Sequence, residues 1–115
     1  MALQPSDLVA KQCTACTSET PALPEAAVRQ TIAGMPGWAL STSPRPEIAR
    51  TFKFANFHET MAFVNAVAWV AHREDHHPDM VVGYNRCVVR YSTHSIGGIS
   101  ENDLICAAKV DALIG

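Results

Sequence analysis

The sequence predicts an α+β fold: a single four-stranded antiparallel sheet with three helices packed on one face, in the order α-β-β-α-β-β-α. Three observations carry this. From about residue 57 into the low seventies, apolar residues recur at helical spacing. Before and after that stretch lie pairs of short strand-like runs joined by turn residues, and strands joined by short turns pair antiparallel. The 115 residues amount to one domain, and a hydrophobic content of 48% supplies its core.

Taken in order, residues 1–22 read as a flexible N-terminal arm, polar and irregular, ahead of a folded domain over 23–115. Pro24 opens a short helix that Gly34, Pro36 and Gly37 stop. Trp38 to Ser41 suits a strand, and Thr42-Ser43-Pro44-Arg45-Pro46 a turn. Then Ile48, Arg50, Phe52 and Phe54 share one side of a run whose other side is Ala49, Thr51 and Lys53, the alternation of a half-buried strand. Asn56 and Glu59 have the spacing of a capping box at the start of the long helix. Phe57, Met61, Val64, Ala68 and Ala71, widened by Phe63, Val67 and Val70, form the stripe expected to face the core. Pro78 ends that helix if Asp75-His76-His77 has not already done so. Residues 80–84 and 86–93 read as two more strands, with Cys87, Val89 and Tyr91 on one side of the second. Gly97-Gly98 makes a turn, and Ser100 caps a last helix with Asp103 in its first turn.

Charge and hydropathy narrow the classes of function. Nine Lys and Arg against eleven Asp and Glu leave a net charge of −2, which gives no broad nucleic-acid footprint. No apolar run approaches the ~20 residues of a membrane span. The first residues lack the basic and apolar regions of a secretory signal. The expectation is a cytoplasmic protein with reduced thiols. Cys13 and Cys16 form a C-x-x-C in a polar stretch, without the second pair or spaced histidines of a zinc site and without a βα unit for redox catalysis. They read as two thiols on a mobile arm, whereas Cys87 and Cys106 read as core-filling side chains.

Histidine makes the sequence specific. One polar segment, His72-Arg73-Glu74-Asp75-His76-His77-Pro78-Asp79, leaves the long helix; another, Tyr91-Ser92-Thr93-His94-Ser95, leaves the last strand. Element ends are where a rigid scaffold presents functional groups. Imidazoles, with an ordinary pKa near ~6.5, can hold mixed protonation states and shuttle protons at neutral pH. No serine or cysteine nucleophile and no glycine-rich phosphate loop accompanies them. Two other readings stand beside acid–base catalysis. His72 and His76, spaced i, i+4, could grip a metal with Asp75, His77, Asp79 or His94, although Arg73 departs from H-E-x-x-H. Or the segment is a solvated helix terminus whose histidines meet the negative end of the dipole. His58, in the first turn of the long helix, reads as a surface residue.

The spacing of His72, His76-His77-Pro78, Tyr84, His94 and Asp103 resembles the signature of the pterin-4a-carbinolamine dehydratases. Gly37-Trp38, Phe52-Lys53-Phe54, Asn56-Phe57, Phe63-Val64-Asn65, Ser92-Thr93-His94 and Gly98-Ile99-Ser100 extend the likeness over roughly residues 34–113. The resemblance implies dehydration of 4a-hydroxytetrahydropterin to quinonoid dihydropterin, which recycles the cofactor of aromatic amino acid hydroxylases. It implies catalytic roles for His76, His77 and His94, and substrate contacts from Asp75, Ser92, Thr93 and Ser95. It implies no metal, nucleotide or redox cofactor, a homodimer or homotetramer, and an appreciable uncatalysed reaction. The rival it brings is a non-enzymatic dimerisation or coactivator-type module on the same fold. Met80 departs from the tryptophan many members carry after the His-His-Pro-acid run, Asn102 from an arginine, and His72 from a glutamate.

Overall fold

The computed structural model describes residues 4–15 and 17–114. The elements are helix α1 (Pro5–Ala10), helix α2 (Glu25–Ile32), strands β1 (Ala39–Ser41) and β2 (Glu47–Lys53), helix α3 (Phe57–Glu74), strands β3 (Asp79–Val82) and β4 (Arg86–Tyr91), and helix α4 (Glu101–Ala112). A short 3₁₀ turn, His94–Ile96, separates β4 from α4. The strands form one antiparallel sheet in the order β1-β2-β4-β3.

Register divides the sheet into two unlike faces. Ile48 lies opposite Tyr91, and Phe52 opposite Cys87, and all four are buried. Thr51 pairs with Val88 and Lys53 with Arg86 on the other face, where Thr51, Lys53 and Arg86 are exposed. The apolar face packs against the helices, as period-two alternation requires. Arg50 is the polar member of the apolar side. Its guanidinium lies 4.4 Å from the Phe52 ring centroid and donates to Asp111 Oδ1 at 2.7 Å. Asp111 also accepts from Trp38 Nε1 at 3.0 Å. Burial holds the Asp111 carboxyl above its ordinary pKa, against the pull of Trp38 and Arg50.

The long helix differs from expectation in which stripe it buries. Thr60, Phe63 and Val67 face the sheet, while Phe57 is 47% exposed and Ala68 is exposed. Thr60 is tolerated inside because its hydroxyl donates toward the carbonyls of Asn56 and Tyr84, 2.9 and 3.0 Å away. The expected stripe through Phe57, Met61, Val64 and Ala68 therefore flanks the buried one, and Trp69 is 60% exposed beside the His72 ring. At the helix start, Asn56 Oδ1 accepts from Glu59 N, but the Glu59 carboxylate reaches Ala55 N, one residue before the cap.

The N-terminal arm is not irregular throughout. Pro5 at the first turn and Asp7 behind it start α1, whose Leu8 is fully buried and which packs on α4. Lys109 Nζ donates to the Val9 carbonyl at 2.8 Å, and Lys11 pairs with Glu101. With α1 over it, α4 is buried from Asn102 through Ala108. The expectation of three helices thus becomes four among the described residues, the fourth coming from the arm. Cys16 lies outside the described residues, so the expected C-x-x-C is seen only through Cys13, which packs partly against the core. Cys87 and Cys106 are fully buried.

Candidate active site

The first histidine segment is shaped by how α3 stops. Asp75 adopts a left-handed conformation (φ 51°, ψ 42°), and the amides of both Asp75 and His76 return to the Ala71 carbonyl. The Asp75 bond is the 5→1 bond of a left-handed helix cap and the His76 bond the 6→1 bond of a Schellman motif, here with Asp where Gly is usual. The chain leaves the helix at Asp75, before Pro78, so His76 and His77 stand on an extended stretch leading into β3. On a continuing helix they would diverge by about 100°.

The second segment follows β4. The Thr93 amide donates to the Gly98 carbonyl at 2.8 Å, and Gly97 closes the 3₁₀ turn in a left-handed conformation (φ 61°) that a side chain would strain. His94 begins that turn and is exposed.

These two segments, distant in sequence, meet. A cleft of about 210 Å³ is lined by Asp75, His76, His77, Ser92, Thr93, His94 and Ser95. Every site residue expected from the sequence borders it. His58 is exposed at the opposite end of α3, and His72 is exposed against Trp69. Among the described residues no three His, Cys, Asp or Glu side chains converge to hold a metal. A smaller cavity of about 130 Å³ lies beyond the Gly97–Gly98 turn, lined by Leu23, Val28, Leu40 and Ile99, with Glu25 as its one titratable group. It offers no acid–base set.

The histidines are held unequally. His76 Nε2 lies 2.6 Å from Asp103 Oδ1, and the carboxylate is fully buried. With the carboxylate accepting, that nitrogen carries the proton and Nδ1 is left as the other ring nitrogen. The His76 ring also lies nearly parallel to Tyr91, at 5.9 Å and 8°. His77 has only a loose contact, its Nδ1 3.4 Å from the Pro78 carbonyl.

Asp103 serves two structures through two oxygens. Oδ1 meets His76, while Oδ2 accepts from Ser100 N at 2.9 Å, completing the capping box of α4, and from the Thr93 hydroxyl at 2.7 Å. The first-turn position predicted from sequence thus accounts for one of its oxygens, and the contact with His76 for the other. Thr93, a candidate substrate contact, turns its hydroxyl inward to Asp103 and Ser100, and so ties the His94 segment to the anchor of His76. Ser100 and Tyr91 were not singled out as site residues, and the capping-box spacing of Ser100 to Asp103 was the available signal for the first. The Tyr91 hydroxyl is buried without a hydrogen-bond partner among the described residues, and burial, then Cys106, Asp103 and Cys13, pushes its phenol pKa up.

Comparison with known proteins agrees with this geometry. The family model described as pterin 4 alpha carbinolamine dehydratase matches residues 21–113. A Nitrosospira multiformis protein, 52% identical over 107 residues covering 93% of this chain and 92% of its own, bears the name pterin-4-alpha-carbinolamine dehydratase, assigned provisionally. A Xanthomonas campestris protein with the same provisional name is 58% identical over 91 residues, 79% of this chain and 76% of its own. Among solved structures, a transcriptional coactivator/pterin dehydratase from Brucella melitensis superposes with a TM-score of 0.77 at 34% identity, covering 83% of this chain and 100% of its own. A pterin dehydratase-like protein, described as a RuBisCO assembly factor in the alpha-carboxysome, gives a TM-score of 0.59 at 28% identity over 69% of this chain and 90% of its own. By its sequence over 21–113 and by its fold, the chain belongs to the pterin-4a-carbinolamine dehydratase family.

Proposed function

We propose that the cleft dehydrates 4a-hydroxytetrahydropterin to quinonoid dihydropterin by general acid–base catalysis, with His76, His77 and His94 as the proton-handling set. The observation that carries this reading is the convergence of three imidazoles from two distant segments on one cleft. Loss of the 4a-hydroxyl needs a proton delivered to that oxygen as the C–O bond breaks. The N5 lone pair forms the new C=N bond, and the N5 proton must then be taken up. One imidazole donates, another accepts, and water leaves; no external oxidant or covalent intermediate enters. Asp75, Ser92 and Ser95 supply carboxylate and hydroxyl groups at the rim for the amide-like edges of a flat, neutral pterin. Thr93 supports the same surface from beneath through Asp103.

The setting this reaction implies is recycling of a hydroxylase's pterin cofactor in the cytoplasm. No helix among the described residues is long and apolar enough to cross a membrane. The outward face of α3, with Phe57 and Trp69 exposed, supports assembly into a homodimer or homotetramer. Light scattering at micromolar concentration tests that, and a monomer contradicts it.

The second reading is a protein-binding module, supported by the coactivator and assembly-factor descriptions of the two structural relatives. Turnover of carbinolamine generated in situ separates the two. The enzyme reading expects acceleration over the uncatalysed rate, lost on His76→Ala, His77→Ala or His94→Ala and kept on His58→Ala. No acceleration by the unaltered protein leaves the binding module.

A further inference from the structure

Behind the cleft, two thiols that play no part in the proposed reaction face each other. Cys13 Sγ, on the arm, lies 3.5 Å from Cys106 Sγ, on α4. The contact is framed by bonds that involve neither sulfur. Cys13 N donates to Glu74 Oε1 at 2.8 Å. Asn102 grips the next residue from both sides, Oδ1 accepting from Thr14 N at 3.1 Å and Nδ2 donating to the Thr14 carbonyl at 2.6 Å. Leu8, on α1 and buried in the core, fixes the arm upstream of Cys13. Residues 93 apart in sequence are thus held with their sulfurs in contact by the surrounding fold.

We propose that Cys13 and Cys106 are a redox-modification site, a dithiol that a hydroperoxide converts to a disulfide fastening the arm to α4. A bonded pair needs its sulfurs at about 2.05 Å, so closure asks roughly 1.5 Å of approach from two side chains already facing each other. The half-buried Cys13 is the sulfur a peroxide can reach; Cys106 is enclosed. The Cys106 thiol pKa is pushed up by its contact with Cys13 and then by burial, which keeps Cys106 protonated and casts it as the second reactant. In the first step the Cys13 sulfur attacks the peroxide, the O–O bond breaks, a sulfenic acid forms and water or an alcohol leaves. In the second, the Cys106 sulfur attacks the Cys13 sulfur, the S–O bond breaks, and the hydroxyl leaves with the Cys106 proton as water. Two thiols have given two electrons to one peroxide. A dithiol reductant reverses the change, and in a reducing compartment the pair rests as thiols. The proposal does not rest on the pterin reading: neither sulfur lines the cleft, although Cys106 Sγ lies 3.9 Å from the His76 carbonyl.

The test uses the full chain, natively folded, treated with stoichiometric hydrogen peroxide, alkylated, and digested without reduction for peptide mass mapping. The proposal expects a Cys13 peptide joined to a Cys106 peptide, two hydrogens lighter than the sum, and released by dithiothreitol. It expects the thermal midpoint of the oxidised protein to rise by about 5 °C or more and to fall back on reduction. Cys16→Ser should keep both the link and the shift, and Cys13→Ser should lose both. A Cys13–Cys16 disulfide as the main product would overturn the proposal, as would Cys13 stopping at sulfinic acid while Cys106 is recovered as a free thiol.

Discussion

His76 and His94 line one cleft but are held in unlike ways. His76 is fixed by a buried carboxylate against its Nε2 and by Tyr91 along its ring, and its side chain is 12% exposed. His94 is exposed at the head of a 3₁₀ turn. Its segment is fixed one residue earlier, where the Thr93 hydroxyl reaches the same carboxylate. One enclosed imidazole and one exposed imidazole, on segments tied to a common anchor, suit a reaction in which two proton transfers occur at different atoms of one ring. The difference teaches that Asp103, buried beneath the cleft, is the element on which both segments depend.

The largest expected effect comes from the imidazoles themselves. His76→Ala and His94→Ala should each lower kcat by about 10²–10⁴-fold, the scale of a lost general acid or base, with the uncatalysed reaction setting the floor. The comparison is sharpened by stability. His94→Ala should leave unfolding free energy within about 0.5 kcal/mol. His76→Ala strips a partner from a fully buried carboxylate and should cost about 1–3 kcal/mol in denaturant titration. Equal stability losses would mean that the two histidines are not held differently.

Next comes the anchor. Asp103→Asn should lower kcat by roughly 10–100-fold, the scale of losing a partner that orients a working imidazole. Thr93→Val keeps the shape and removes the hydroxyl. It should destabilise by about 1–3 kcal/mol, since Asp103 Oδ2 and Ser100 lose a buried bond, and lower kcat less than Asp103→Asn does. A Thr93→Val variant that raises KM and leaves kcat intact would instead make Thr93 a substrate contact only.

The smallest effect is expected at the arm. Under reducing conditions, Cys13→Ser with Cys16→Ser should change turnover by less than tenfold, ~1.4 kcal/mol in barrier, because the pair lies outside the segment that carries the family motif and Cys13 does not border the cleft. A larger loss would show that the arm steadies the site through Glu74, the residue before Asp75.

What sequence made legible follows from how local each signal is. The sheet, its two hairpin pairings and the cleft residues rest on period-two alternation, turn residues and a motif of fixed spacing, all readable along the chain, whereas the central pairing of β2 with β4 is between strands not adjacent in sequence and had no local signal. Three features depended on tertiary contacts. α1 is only six residues long, and its one fully buried residue, Leu8, gains meaning only from α4 above it, although Pro5 and Asp7 were a helix-start signal. Which apolar stripe of α3 turns inward was undecided by pattern, because Phe57 and Val64 are as apolar as Phe63 and Val67. The sheet takes the side on which Thr60 can reach the Tyr84 carbonyl. The role of Asp103 was open because one carboxylate in a first helical turn caps by default. Its second oxygen finds His76 only after α3 has ended in the left-handed turn at Asp75.

A double-mutant cycle on kcat across His76 and Asp103 tests the central claim most directly. If Asp103 acts mainly through the ring it holds, His76→Ala with Asp103→Asn should fall far less than the product of the singles, and end close to His76→Ala, the remaining loss being the part carried through Thr93 to the His94 segment. Losses that multiply, so that the double variant falls by the product of the two singles, would contradict the account and give Asp103 a role in turnover independent of His76.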